Sequence, residues 1–217
     1  MKKILGGIAL GLGGVAFHMY ALWLAEKLVD DFPSVTDIFM RELPVLDLFG
    51  IGEVGFVLLL AGFGFVLLRQ RAGDIGYVFA LLGIFYAARG VFLLFMPIGA
   101  PADAPGVADR FVLYPYPAHA FFPGGHVGIM FIMSLLIQNL RVRMVFIGAV
   151  LLFGAGSIFT RAHYTADIFG GLLLGYAVWA FGEAHLKRHF QMKLLGFPPA
   201  VSHDPSAAER NLPKQKK

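Results

Sequence analysis

Apolar positions run together along this chain in blocks of about 20 residues, the length of helix that crosses a hydrocarbon core. Six such blocks read as spans, at roughly Ile4–Leu24, Leu48–Leu68, Ile75–Pro97, Phe121–Leu140, Met144–Thr160 and Ile168–Leu186. The first has no small-residue cleavage site ahead of a soluble domain, so it reads as a retained helix rather than a signal peptide. Its glycines Gly7, Gly11 and Gly14 recur at helical spacing and suit close packing against another helix. The fold class expected is all-α: a polytopic membrane protein with six transmembrane helices in residues 1–195. A flexible basic tail, rich in Pro, Ser and Lys, follows over 196–217.

Composition agrees with that pattern. Of 217 residues, 58% are hydrophobic and only 15% charged, and the mean hydropathy is +0.71. An ordinary soluble domain carries about a quarter charged residues, so a cytosolic globular protein and a disordered chain are both excluded. There is no cysteine, hence no disulfide framework, thiolate metal site or catalytic thiol. The net charge of +4 would suggest nucleic acid in a soluble protein, but the basic residues sit beside spans. Lys2, Lys3, Arg69, Arg71, Arg141, Arg143, Lys187, Arg188, Lys193, Arg210, Lys214, Lys216 and Lys217 fall on one side if six helices alternate. The first loop holds Glu26, Asp30, Asp31, Asp37, Glu42 and Asp47 against Lys27 and Arg41. The positive-inside rule then expects both termini in the cytoplasm and the first, third and fifth loops outside. The partners expected are membrane lipids, not nucleic acid. A bacterial inner membrane with a periplasmic site suits the short loops, and an endomembrane with a lumenal site is the alternative.

Two histidine-bearing segments fall at the outer ends of spans. Phe122-Pro123-Gly124-Gly125-His126 opens the fourth, and Thr160-Arg161-Ala162-His163-Tyr164-Thr165-Ala166-Asp167 joins the fifth to the sixth. A helix N-terminus offers unpaired N–H groups and partial positive charge, which suit a phosphate. Gly124 and Gly125 allow a ligand close to the backbone, and Arg161 offers a fork of donors matched to phosphate oxygens. His163 and Asp167 are four residues apart and share one helix face. The carboxylate can fix the imidazole's tautomer and stabilise its cation, while one imidazole attacks phosphorus and the other protonates the leaving oxygen.

Pro123-Gly124-Gly125-His126 and His163-Tyr164-Thr165-Ala166-Asp167 resemble two signature motifs of the type 2 phosphatidic acid phosphatase superfamily. The match is closer to its lipid phosphotransferase branch, the sphingomyelin synthase and inositol phosphorylceramide synthase relatives. Arg161 to Asp167 is similar to that branch's Arg-x-His-Tyr-(Ser/Thr)-x-Asp block. Phe32-Pro33-Ser34-Val35-Thr36-Asp37 resembles its early Pro-Leu-Pro-Asp block, and Tyr86-Ala87-Ala88-Arg89 followed by Pro97 resembles its third-helix segment. The resemblance spans roughly residues 30 to 180. It implies His163 as a nucleophile forming a phosphohistidine, Asp167 as its orienting partner and His126 as acid/base on the alcohol, with no metal and no organic cofactor. Around them the phosphate and substrate site expected is Arg161, Gly124, Gly125, Arg89, Asp37 and Tyr164, together with Glu53, which is added by its place inside a span and not by the resemblance. There are two departures. Gly124 stands where the motif has a serine, and Ser157 stands where the phosphatase subgroup has an arginine.

Glu53 and Arg89 are charges inside spans, which normally face a partner, a cavity or a substrate path. They read either as lining a polar chamber in the outer half or as a structural ion pair. His18 reads as a hydrogen-bonded packing residue, and His119, His185, His189 and His203 as solvated side chains. Tyr114, Tyr116 and Trp23 read as an interfacial belt. Three functions follow. The first is a lipid phosphotransferase moving a phospho-headgroup from a phospholipid donor to a lipid alcohol, diacylglycerol or ceramide. The second is a lipid phosphatase or phospholipase C-like hydrolase with water as acceptor. The third is a non-catalytic lipid transporter or binding protein.

Overall fold

The computed structural model describes residues 2–46, 49–68, 72–102 and 122–190. Side chains within 49–53, 66–68 and 72–73 fall outside the description. The described part is all-helical, with no strand among those residues. In chain order the helices are α1 (Lys2–Leu28), a five-residue α2 (Ile38–Glu42), α3 (Phe49–Leu68), α4 (Ala72–Phe95), α5 (Gly125–Leu136), α6 (Leu140–Phe159) and α7 (Thr165–Phe181). A π-helical turn, Gly182–Leu186, then leads into α8 (Lys187–Phe190). Four helical stretches are long and apolar enough to cross a membrane: Lys2–Leu28, Asp74–Phe95, Leu140–Phe159 and Thr165–Phe190. Their outward faces are apolar, with Leu152 75% and Leu173 70% exposed, as a lipid-facing surface requires.

The fourth apolar block behaves differently from expectation. Helix is expected there over Phe121–Leu140, yet α5 has only 12 residues, about 18 Å at 1.5 Å per residue. Its start is set by Pro123 and by Gly124, the N-cap. Its end is set from the other side. Asn139 caps α6 by accepting from the N–H groups of Arg141 and Val142, and Arg143 Nε donates to the Ile137 carbonyl at 2.6 Å.

Close backbone contacts bind the bundle. A methyl group on Gly7 or Gly14 would strike the carbonyls of Gly76 and Gly83 on α4, and one on Gly11 that of Phe79. The glycines of α1 thus form a close seam along α4, the packing their spacing predicts. A second seam joins α5 to α7, where Gly171 lies against the Gly124 carbonyl and Gly175 against that of Gly128. Between the seams lies a core of Tyr77, Leu81, Phe85, Ile129, Ile132 and Val178. Lys3, Ile4 and Phe190 meet at Gly76, so the N-terminus, the start of α4 and α8 share one end. The turn after α6 and the segment before α5 meet at the other.

Candidate active site

At that second end, α5 and α7 begin side by side. The Gly124 N–H donates to the Asp167 carbonyl at 2.9 Å. A Cβ on Gly124 would come within 2.7 Å of the same carbonyl oxygen, so only glycine permits this approach. The contact draws His126, on the first turn of α5, toward His163, just before α7. The two ring centroids are 6.3 Å apart, and His163 Nδ1 lies 3.5 Å from Asp167 Oδ2. The same oxygen accepts the Tyr164 N–H at 3.0 Å, which fixes the carboxylate at the start of α7. His163 and Asp167 are both buried. His126 packs edge-on against Phe56 of α3, 4.5 Å between centroids, with Phe153 of α6 behind it at 6.5 Å.

Arg89, on α4, reaches this place from the side. Its Nε donates to the Pro123 carbonyl at 2.8 Å. The guanidinium carbon is 3.2 Å from where a Cβ on Gly125 would sit. A buried positive charge therefore lies against the N-terminus of α5, whose N-cap supplies no side chain. Of the residues expected here, His126, His163, Asp167, Gly124, Gly125 and Arg89 converge. Glu53 lies on α3, and its side chain is outside the described residues, as are Tyr114, Tyr116, His119 and His203.

Arg161 and Asp37 have other partners than a phosphate. Arg161 is the first residue past the cap of α6 and takes a left-handed backbone, φ 59°. Its Nη1 donates to the Met40 carbonyl and its Nη2 to the Leu43 carbonyl at 2.8 Å. Both acceptors lie at the end of α2, so the guanidinium clamps the first loop. Asp37 completes the clamp: Oδ1 caps α2 through the Met40 N–H at 3.0 Å, while Oδ2 accepts the Thr165 N–H at 2.6 Å. The Thr165 hydroxyl also donates to Asp37, at 3.2 Å. Partial burial alone would raise the Asp37 carboxyl, but the backbone donors at Met40 and Thr165 outweigh it and hold the group below its usual range. Tyr164 closes the same joint, its hydroxyl accepting the Val35 N–H at 3.1 Å. Burial raises that hydroxyl above its ordinary range, which keeps it neutral. Asp37, Arg161 and Tyr164 thus hold the first loop onto the turn that carries His163.

His18 reads from the sequence as a hydrogen-bonded packing residue, and the structure gives it a specific partner. Its Nε2 accepts from Arg89 Nη1 at 2.7 Å, which makes it part of the Arg89 environment. The signal was available: both residues lie at comparable depth in their helices. Among the described residues, no group of three or more His, Asp or Glu side chains could hold a metal ion.

No family model matches the chain, and no curated protein matches it.

Proposed function

We propose that this protein is an integral membrane lipid phosphotransferase that works through a phosphohistidine on His163. The observation that carries the reading is the pairing of His126 and His163, 6.3 Å apart between ring centroids, with Asp167 beside the second ring. Two imidazoles at that separation can contact one tetrahedral phosphate from opposite sides. With Nδ1 turned to Asp167, Nε2 of His163 is the attacking nitrogen. As the N–P bond forms, the P–O bond to the leaving alcohol breaks and His126 gives its proton to that oxygen. In the second half, an acceptor hydroxyl loses its proton to His126 and attacks phosphorus, and the N–P bond breaks. Arg89 and the N-terminus of α5 supply the positive field that the phosphoryl oxygens need. Phe56 and Phe153 form an apolar wall on the His126 side, where a lipid alcohol would leave.

The site's motifs resemble those of the type 2 phosphatidic acid phosphatase superfamily, and in particular its lipid phosphotransferase branch. In this reading the chain crosses the membrane six times with both termini cytoplasmic. The basic residues Lys2, Lys3, Arg141, Arg143, Lys187 and Arg188 lie at helix ends away from the histidines, which supports a site on the exoplasmic face. The first loop, clamped over the His163 turn, would cover the chamber from the aqueous side.

The test uses purified protein with a headgroup-labelled phospholipid, with and without diacylglycerol or ceramide. A labelled enzyme intermediate and an acceptor-dependent new phospholipid are expected, both lost in His163→Ala. Release of headgroup phosphate to water, unchanged by either acceptor, would make the protein a hydrolase. Absence of any labelled intermediate in the wild type would refute the phosphohistidine.

A further inference from the structure

The guanidinium of Arg89 is held between two helices that share no sequence neighbourhood. On one side is the Pro123 carbonyl at the entrance to α5. On the other is His18, near the middle of α1. A guanidinium has donors only, so His18 Nε2 is the acceptor, its ring is neutral and its proton sits on Nδ1. Nδ1 is buried with no hydrogen-bond partner, and leaving a polar atom so placed is costly. A packing residue would be cheaper as leucine or phenylalanine. The tautomer that leaves Nδ1 unsatisfied is the one that can accept from Arg89.

The surroundings keep the pair in register. The His18 ring lies 5.3 Å from that of Tyr86, one turn before Arg89 on α4. A Cβ on Gly90 would meet the His18 Cα at 3.1 Å, so α1 comes this close only because residue 90 has no side chain. The glycine seam between α1 and α4 thus continues to the depth of the candidate site. A carbonyl and a neutral imidazole thus give the guanidinium two fixed directions, one toward α5 and one toward α1.

We infer that His18 is a positioning residue that holds the Arg89 guanidinium against the N-terminus of α5, where it receives a phosphate group. The inference rests on the phosphotransfer reading above and adds α1 to the working parts of the site. Without His18, Arg89 would keep its charge but lose one of the contacts that fix its direction, and a misplacement of about 1 Å can cost roughly 100-fold in rate.

The experiment compares the full-length wild type with His18→Phe, His18→Gln, Arg89→Gln and the double variant His18→Phe/Arg89→Gln. The readout is kcat and KM for headgroup transfer from a short-chain labelled phospholipid, with thermal melting as a folding control. His18→Phe is expected to lower kcat/KM by about 10- to 100-fold, mostly in kcat. His18→Gln, whose amide oxygen can accept from Arg89, should recover most of the loss. The double variant should be no worse than Arg89→Gln alone, because His18 acts only through Arg89. A merely structural role would give additive losses, no rescue by glutamine and a melting shift that tracks activity. Additive losses, or unchanged kcat/KM in His18→Phe with an inactive His163→Ala, overturn the inference and leave the phosphotransfer reading standing. A wild type that forms no phosphoenzyme overturns both.

Discussion

Replacing Asp167 with asparagine separates charge from shape at the centre of the site. The Oδ2 atom serves both the Tyr164 N–H at 3.0 Å and His163 Nδ1 at 3.5 Å. An asparagine oxygen can occupy the same place, so the start of α7 keeps its backbone cap and an oxygen stays beside the imidazole. The negative charge is lost. As Nε2 attacks phosphorus the ring turns cationic, and at 3.5 Å a unit charge pair is worth about 5 kcal/mol at an effective dielectric of about 20. The retained oxygen dipole offsets part of that. A net loss of about 2.7–4 kcal/mol corresponds to a rate lower by about 100- to 1,000-fold. The measurement is single-turnover phosphoenzyme formation from a labelled phospholipid, quenched in alkali because the P–N bond is acid-labile. The melting temperature of Asp167→Asn should stay close to that of the wild type, whereas Asp167→Ala should lose both rate and stability. If Asp167→Asn forms phosphoenzyme at a rate within a factor of a few of the wild type, Asp167 is only a helix cap and its charge does not stabilise the imidazolium.

Four further outcomes follow from named contacts. His126→Ala should abolish turnover of natural lipids but spare phosphoenzyme formation from a nitrophenyl ester, whose leaving group needs no proton; equal loss on both substrates refutes the acid role. Gly14→Val places a side chain against the Gly83 carbonyl and should cost about 1–3 kcal/mol, read as a lower melting temperature in detergent, while Gly13→Val, with open space around it, should not. Arg161→Lys cannot fork to both Met40 and Leu43; losing one hydrogen bond from a charged donor costs about 1.5–3 kcal/mol, seen as faster proteolysis within residues 33–46. Asp37 has a depressed carboxyl in the folded protein, so its contribution to stability is complete above the ordinary carboxylate range and is lost as pH falls through the lower folded value; Asp37→Asn should flatten the acid limb of the melting-temperature profile.

The helices were legible because each apolar block records its own solvent, and the glycine spacing of α1 also named its packing face. The boundaries of α5 were not read from hydropathy, since a window averages across Gly124 and Asn139 without seeing them as caps. Asn139 sits just before Leu140, a helix-start signal, and its two bonds to Arg141 and Val142 begin α6 about one turn earlier than the apolar block suggests. The first loop is rich in acidic residues, a composition that suits solvated side chains. Within it Asp37 is an N-cap with a second partner far along the chain, at Thr165.

The difference between the histidines and Arg161 shows where such reading stops. His163 and Asp167 do not share a helix face as expected, because α7 starts at Thr165 and His163 precedes its N-cap Tyr164; they meet through the capped first turn, and their four-residue spacing is still written in the sequence. The fork of Arg161 fits a phosphate, but carbonyl oxygens accept from the same fork. Helix α2 has five residues, too few to satisfy its own carbonyls, since the last four of any α-helix lack internal partners. The Met40 carbonyl has one donor in the Leu43 N–H, and Arg161, placed by a left-handed turn that costs roughly 1–2 kcal/mol, adds a second there and also donates to the Leu43 carbonyl. These acceptors are backbone atoms whose exposure depends on the fold, so residue type alone did not announce them. Arg89 follows the same logic with a different result. Its contacts with the Pro123 carbonyl and His18 place its guanidinium at the helix end beside His126, where that of Arg161 is turned to the first loop.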